Sequence, residues 1–253
     1  MNLKILLKKI IQSSISIFIR NNFNLSPVDI DTDFLNQKSS ISDAFCWRTE
    51  RGYKTVIKFS NLVKIFFNQN SQIKILFFTK ENVKIKETII NSNNLSYEIL
   101  INKEYMNGVE DYGTFYIFHN LDKIKDEAII SNRCYVGYSL NNELPSFVHG
   151  NTLVKYETSS ASRKDIIKNT FFLKRQYIVQ NLYSLDSQLE IYIANPTSKI
   201  INVNFDNKNF KMRPFNCKII KTNLTKISLK SDCMFLRPII FECKKEFLNV
   251  HHG

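Results

Sequence analysis

Two stretches of similar sequence, one in each half of the chain, decide the fold. Residues 71–78 read SQIKILFF, and residues 187–194 read SQLEIYIA. Each is followed by a turn and by a further strand-like run, at residues 83–90 and 199–205. Self-similarity of this kind is typical of tandem structural units. The sequence therefore predicts an internal duplication, with chance similarity between isoleucine-rich strands as the alternative.

A second correspondence lies where each half ends. Arg133 leads to the residues FVHG at 147–150, and Arg237 leads to VHHG at 250–253. Between the halves, residues 157–162 read ETSSAS, and small polar residues are typical of a surface connection. We therefore predict a helix at 1–23, a first domain with an extended lead-in at 24–157, and a second, basic domain at 158–253.

The chain from residue 41 onward has mostly strand character. Runs at 55–59, 72–78, 114–118 and 135–138 are dominated by β-branched and aromatic residues, which favour strands. Turn clusters rich in asparagine separate them. Short strands at roughly ten-residue spacing are typical of β-sandwiches. The predicted fold is mainly β: two tandem β-sandwich domains, Ig-like or related, preceded by an N-terminal amphipathic basic helix.

Residues 1–23 combine three lysines with an apolar stripe. Leucine and isoleucine recur there at helical spacing, from Leu3 to Ile11, which predicts an amphipathic helix. Such a helix either docks on a membrane surface or packs on its own protein.

The polar residues that interrupt the apolar run disfavour a signal peptide, and five cysteines without a Cys-x-x-Cys pair favour reduced thiols. We expect a cytoplasmic protein, with peripheral contact with a membrane through residues 1–23 as the alternative.

The charge is unevenly distributed along the 253 residues, whose formal net charge is +12. Residues 1–23 hold four basic and no acidic residues, and residues 24–150 hold 14 basic and 15 acidic ones. Residues 151–253 hold 17 basic and 8 acidic residues, a net charge of +9. A basic region of this kind attracts anionic partners. Nucleic acid is unlikely as that partner, because no recognition motif is present and arginine supplies only 8 of the 35 positive charges.

Several catalytic signatures are absent from the sequence. There is no glycine-rich phosphate loop, no Gly-x-Ser-x-Gly elbow and no His-Glu-x-x-His helix. We therefore expect no cofactor and no metal site, and an enzymatic role is the less favoured one.

The segment around the only tryptophan is one candidate binding site. Trp47 and Arg48 stand next to two acids and a second arginine, and aromatic, arginine and acidic side chains together can bind sugars or peptides by stacking and bidentate hydrogen bonds. The alternative is that Trp47 anchors the core while Arg48 pairs with Glu50 on the exposed face.

The scarce histidines are a second candidate site. His119 and His149 lie at predicted strand ends, as do His251 and His252, and Asn151 follows His149 closely. Strand ends can meet on one rim of a sandwich, where an imidazole can act as a general base or a ligand. The alternative for His119 is a core or rim histidine that is hydrogen-bonded to the backbone.

These observations favour a non-catalytic binding or scaffolding protein. Its basic second domain would engage an anionic partner, which is an acidic polysaccharide, a lipid surface or an acidic protein, and the predicted binding residues are Trp47, Arg48, His119, His149 and Asn151. The alternative is a histidine-dependent, metal-assisted enzyme that acts on a carbohydrate. A third option is a component of a larger assembly that pairs through exposed strand edges.

Overall fold

A computed structural model gives the structure of the chain. It describes residue 10 and the ranges 13–22, 38–91, 93–124, 128–141, 143–150, 153–157, 162–166, 175–180, 187–224, 226–233, 236–244 and 248–253.

Strands dominate the described residues, so the predicted mainly β class is confirmed. The helices are α1 (Ser14–Asn22), α2 (Leu62–Phe67) and a 3₁₀ turn (Glu50–Gly52). The strands up to residue 165 are β1 (Ser39–Asp43), β2 (Phe45–Arg48), β3 (Tyr53–Ser60), β4 (Gln72–Thr79), β5 (Lys84–Asn91), β6 (Ser96–Ile101), β7 (Tyr112–His119), β8 (Ile129–Asn132), β9 (Tyr135–Leu140), β10 (Ser146–His149), β11 (Leu153–Glu157) and β12 (Ser162–Asp165). The later strands are β13 (Arg175–Gln180), β14 (Gln188–Ala194), β15 (Ile201–Phe205), β16 (Lys208–Met212), β17 (Cys217–Thr222), β18 (Lys226–Ser231), β19 (Ile239–Cys243) and β20 (Leu248–His252).

The strands form five four-stranded sheets. Two of them contain strands of the first half only, in the orders β2-β7-β4-β5 and β10-β9-β3-β6. Two others contain strands of the second half, in the orders β13-β18-β15-β16 and β20-β19-β14-β17. The fifth sheet has the order β12-β11-β1-β8, and its β1–β8 pair is parallel, unlike the other described pairs.

The strand order of the first half recurs in the second. The eight strands β2 to β7, β9 and β10 of the first half can be numbered 1 to 8, and so can β13 to β20 of the second half. In both halves one sheet then has the order 1-6-3-4 and the other has the order 8-7-2-5. The corresponding ends agree with the sequence comparison, because β9 and β10 match β19 and β20. The internal match differs. Residues 188–194 form β14, which corresponds to β3 in the repeated order, whereas residues 72–78 lie in β4. Similar isoleucine-rich strands can be aligned one strand out of step, because their composition is alike.

The largest core cluster joins the two halves. It contains Phe45, Ile57 and Phe77 from the first half together with Tyr192 and Phe241 from the second. The opposite face of the sheet that holds β14 and β19 packs against β15 and β18 in a separate cluster. This sheet is therefore covered on both faces, which explains why β14 is buried at all but its first residue and reads as a nearly continuous apolar run.

The fifth sheet covers the outer face of β2-β7-β4-β5. Val154 of β11 packs there against Leu76, Tyr116 and Phe118. Strand β12 pairs with β11, so residues on both sides of the predicted domain boundary at 157/158 lie in one hairpin. Residues 158–161, in the predicted connection, lie outside the described residues.

Helix α1 covers part of the predicted N-terminal helix, and residues 1–9, 11, 12 and 23 lie outside the described residues. In α1 the side chain of Ile15 is 73% exposed, and Phe18 and Ile19 are nearly half exposed. Within the described part of the chain, no helix has the length and apolar character that a bilayer crossing requires.

Candidate functional site

The Trp47–Arg48 segment lies in the core. Both residues have 0% relative exposure, and the Trp47 indole donates a 2.9 Å hydrogen bond to the backbone carbonyl of Phe78. The Arg48 guanidinium lies 3.6 Å from the centre of the Tyr53 ring and 4.5 Å from that of Phe241. A covered indole offers a ligand no face for stacking, so this segment presents no binding surface.

Arg48 belongs to a buried ion-pair network between the two halves. Its Nη2 donates to Glu50 at 2.6 Å and to Glu190 of β14 at 2.5 Å. The other carboxylate oxygen of Glu190 accepts from Arg51 at 2.7 Å. Burial raises the pKa of Glu190, but the two guanidinium groups outweigh it and hold that pKa below its usual value. This network fixes one half against the other, and sequence spacing gave no hint of the Arg48–Glu190 contact.

His119 is buried at the end of β7, with 3% relative exposure. Its Nδ1 lies 3.3 Å from the Ser71 hydroxyl, and its backbone N–H donates to the Ser40 hydroxyl at 2.8 Å. Burial lowers the pKa of His119 to about 4, so the imidazole is neutral near pH 7. The residue lines a cleft of about 290 Å³.

His149 lies elsewhere, on an edge strand of the β10-β9-β3-β6 sheet. Its exposed imidazole packs on Tyr135, with ring centres 4.5 Å apart. Burial is the main cause that lowers the pKa of His252 to about 4, and the nearby His149 contributes to this lowering. His149 does not line the His119 cleft. Asn151 lies outside the described residues.

The predicted site residues do not converge in the part of the chain that the structure describes. No group of three or more histidine, cysteine, aspartate or glutamate side chains there is arranged to hold a metal ion. The structure also places His119 and His149 in different sheets and the Trp47–Arg48 segment in the core.

A polar groove lies instead on the outer face of the β13-β18-β15-β16 sheet. Alternation along β15 sends Ile201, Val203 and Phe205 into the core and leaves Asn202 and Asn204 on the outside. Register then places Asn202 opposite Lys211 of β16, and Asn204 between Asn209 and Lys230. The outer face of the sheet is therefore built of amides and lysines.

These side chains line a groove of about 430 Å³, which we call the lysine–asparagine face: Asn202, Asn204, Asn209, Lys211, Lys230 and Asp232. Asp232 accepts hydrogen bonds from the Asn202 backbone N–H at 2.9 Å and from its side-chain amide at 2.7 Å. The Asn204 amide donates to Asn209 at 2.8 Å. Neither Lys211 nor Lys230 pairs with a carboxylate among the described residues, so both ammonium groups remain available to an anion.

The turn between β15 and β16 sets the shape of this face. Asp206 and Asn207 form its two-residue loop, with φ angles of 43° and 70°. Positive φ at both loop positions is typical of a type I′ turn, whose twist matches that of the strands it joins. The Asp206 carboxylate also accepts the backbone N–H of Ser228 at 2.9 Å, which ties the turn to β18.

Sequence reasoning did not single out these residues. The signal was present in INVNF at residues 201–205, where apolar and amide side chains alternate with the period of a half-buried strand. Comparison with protein-family models, with curated proteins and with solved structures finds no match to this chain.

Proposed function

We propose that the chain is a non-catalytic binding protein whose second, basic half binds an acidic polysaccharide on the lysine–asparagine face. The observation that carries this proposal is the pair of lysines, Lys211 and Lys230, set among three outward asparagines without a carboxylate partner in the described residues. The proposal agrees with the net charge of +9 in residues 151–253. Charge of that sign raises the local concentration of an anionic polymer.

The chemistry of the face favours a polysaccharide over the other anionic partners. An asparagine amide offers both a donor and an acceptor, so a row of amides can bind the hydroxyl groups of successive sugars. Lysine ammonium groups can bind the carboxylates of the same chain. A groove that runs over neighbouring strands suits a linear polymer, whereas a membrane surface would favour protruding apolar side chains.

The architecture that we propose for this function is a duplication: two tandem eight-stranded sandwich domains, the second being the binding domain. The repeated strand order, and cores in which facing sheets share one apolar cluster, support it. In the first half the equivalent outer face is apolar and covered by the fifth sheet. In the second half the equivalent face is polar, which is consistent with divergence of one copy toward ligand binding.

Binding of polygalacturonate tests the proposal, with dextran as the neutral polymer. The double variant Lys211→Gln/Lys230→Gln should bind polygalacturonate about tenfold or more weakly than the parent, because two charge-assisted contacts are lost. The single variant Lys211→Gln has a matched control in Lys208→Gln, which removes one positive charge from the same strand at a position of the opposite alternation. The affinity of Lys208→Gln should stay close to that of the parent, and binding should weaken as the salt concentration rises.

Three results would contradict the polysaccharide proposal. The first is no binding of polygalacturonate at low salt. The second is equal loss of affinity in Lys208→Gln and in the double variant, which would indicate a diffuse charge effect. The third is binding to phosphatidylglycerol vesicles that is stronger than binding to the polymer and is lost in the double variant, which would favour a lipid surface on this face.

Peripheral membrane contact through residues 1–23 is a second candidate, favoured by the exposed apolar side chains of α1. Ile15, Phe18 and Ile19 recur at helical spacing on one stripe of this helix. Flotation with phosphatidylglycerol vesicles should recover the parent chain, and the variant Ile15→Ser should be recovered less. Equal recovery of both chains would count against this contact.

A further inference from the structure

A polar cleft separate from the lysine–asparagine face lies beside His119, and we call it the His119 cleft. It lies where β4 begins and β7 ends, is lined by Ser40 of β1 and Tyr156 of β11, and has a volume of about 290 Å³. Its lining includes Lys38, Gln72, Lys74, Asn120, Asp122 and Tyr156 in addition to His119. Basic, amide and aromatic side chains thus meet in a space that is large enough for a small polar ligand.

The walls of the cleft are held in place by contacts with each other. The Lys74 ammonium lies 3.2 Å from the Tyr156 hydroxyl and 3.4 Å from Glu87, and 5.1 Å from the centre of the Tyr156 ring. The buried hydroxyl of Ser40 accepts the backbone N–H of His119. A preformed site of this kind binds a ligand without first having to order its own side chains.

One cation in the lining of the cleft is available to a ligand. Lys38 is exposed, and no described carboxylate pairs with it. Lys74, in contrast, is already engaged by Glu87 and Tyr156. The cleft therefore offers one unpaired positive charge, together with the amides of Gln72 and Asn120 and the carboxylate of Asp122, which can accept hydrogen bonds from hydroxyl groups.

The cleft continues into a second depression lined by amides. This neighbouring groove of about 400 Å³ shares Gln72, Asn120 and Asp122 with the cleft and adds Asn91 and Asn93 among others. Gln72 and Asn91 are linked by a 3.1 Å hydrogen bond. A ligand in the cleft could thus extend along a path that also favours hydroxyl-rich molecules.

We propose that the His119 cleft is a second binding site, which takes one carboxylated monosaccharide of the uronic acid class. Lys38 binds the sugar carboxylate, and the Gln72 and Asn120 amides bind ring hydroxyls. A neutral sugar lacks the charge that Lys38 would bind, and a simple anion lacks the hydroxyl groups that the amides would bind. The site is separate from the lysine–asparagine face and does not depend on the function proposed for that face.

Saturation-transfer NMR with sodium glucuronate tests this site in the full chain. Methyl glucoside serves as the neutral comparator. Sodium phosphate, the simple anion, has no protons that this method observes, so its affinity is measured as competition against glucuronate. The parent should bind glucuronate, and Lys38→Gln and Gln72→Ala should each weaken binding by about tenfold, the effect of losing one good charge-assisted or amide contact. Lys38 is exposed and Gln72 is half-buried at the start of β4, so both variants should keep the parental melting temperature.

The control variants separate this site from the face in the second half. Lys208→Gln and the double variant Lys211→Gln/Lys230→Gln should bind glucuronate as the parent does. Unchanged affinity in Lys38→Gln, or equal affinity for glucuronate and phosphate, would overturn the proposal, as would equal affinity for glucuronate and methyl glucoside. Failure of glucuronate binding alongside normal binding of polygalacturonate would refute the cleft site and leave the proposed function standing.

Discussion

Replacing Glu190 by glutamine should destabilise the chain by disrupting the ion-pair network between its halves. The Glu190 side chain is only 2% exposed, and its two oxygens accept from different arginines, at 2.5 Å from Arg48 and at 2.7 Å from Arg51. An amide has one acceptor oxygen, so one guanidinium would face an N–H group instead. Removing one partner of a buried ion pair costs about 3–5 kcal/mol. Because Glu50 still contacts Arg48 at 2.6 Å, we expect the lower value, about 3 kcal/mol.

Thermal and urea denaturation followed by circular dichroism measures this loss. For a chain of this size, about 3 kcal/mol corresponds to a fall in Tm of roughly 6–12 °C. The control is Glu98→Gln, which breaks a 3.0 Å pair with Lys58 in which both side chains are about half exposed or more. That variant should stay within about 0.5 kcal/mol of the parent, because exposed pairs contribute little.

Acidification provides a second test of the Glu190 network. Since the folded-state pKa of Glu190 lies below its usual value of 4.5, its stabilising contribution is present above about pH 4.5 and is lost as the pH falls through the folded-state pKa. The difference between the parent and Glu190→Gln should therefore shrink in acid. The reasoning would be refuted if Glu190→Gln cost no more than Glu98→Gln near pH 7.

Three further substitutions test particular contacts. Gly113→Ala should destabilise the chain by about 3 kcal/mol, because the added Cβ would collide with the Phe78 backbone oxygen; an unchanged urea midpoint would contradict this packing. Asn207→Gly should raise stability by a few tenths of a kcal/mol or more, because glycine readily adopts the positive φ of the β15–β16 turn; a lower Tm would argue against that turn type. The parent should lose on the order of 3 kcal/mol of its free energy of unfolding as the pH falls from 6.5 to about 4, because His119 binds a proton more readily in the unfolded chain. His119→Phe should remove this loss, and a variant that keeps the parental slope would exclude this origin.

Strand content could be predicted from local sequence because each strand carries its own signal. The runs at 55–59, 72–78, 114–118 and 135–138 all lie within observed strands. β-Branched and aromatic residues favour extended backbone wherever the strand lies in the fold. The two halves also end in similar sequences, at residues 147–150 and 250–253, and the strands there occupy equivalent places in the repeated order.

The surroundings of individual side chains could not be predicted in the same way. Trp47 and Arg48 carry the residue types of a binding surface, yet both lie in the core: Trp47 bonds to Phe78 of β4, and Arg48 contacts Glu190 of β14 and Phe241 of β19. Glu190, an acid inside an apolar strand, was a readable sign of a buried ion pair, but its partners lie more than 130 residues away in the sequence. Periodicity specifies which side chains share a face of a strand, whereas it does not specify what covers that face.

The sequence by itself determined the mainly β class, the strand positions and the concentration of positive charge in the last hundred residues, since these follow from local residue type and composition. Tertiary structure alone decided that one sheet of the second half is covered on both faces and that the outer face of the other is lined by Lys211, Lys230 and three asparagines. It also decided that His119 and His149 lie in different sheets. The physical reason is that burial, ion pairing and the meeting of distant side chains depend on which sheets pack together, and that choice is made by the whole chain.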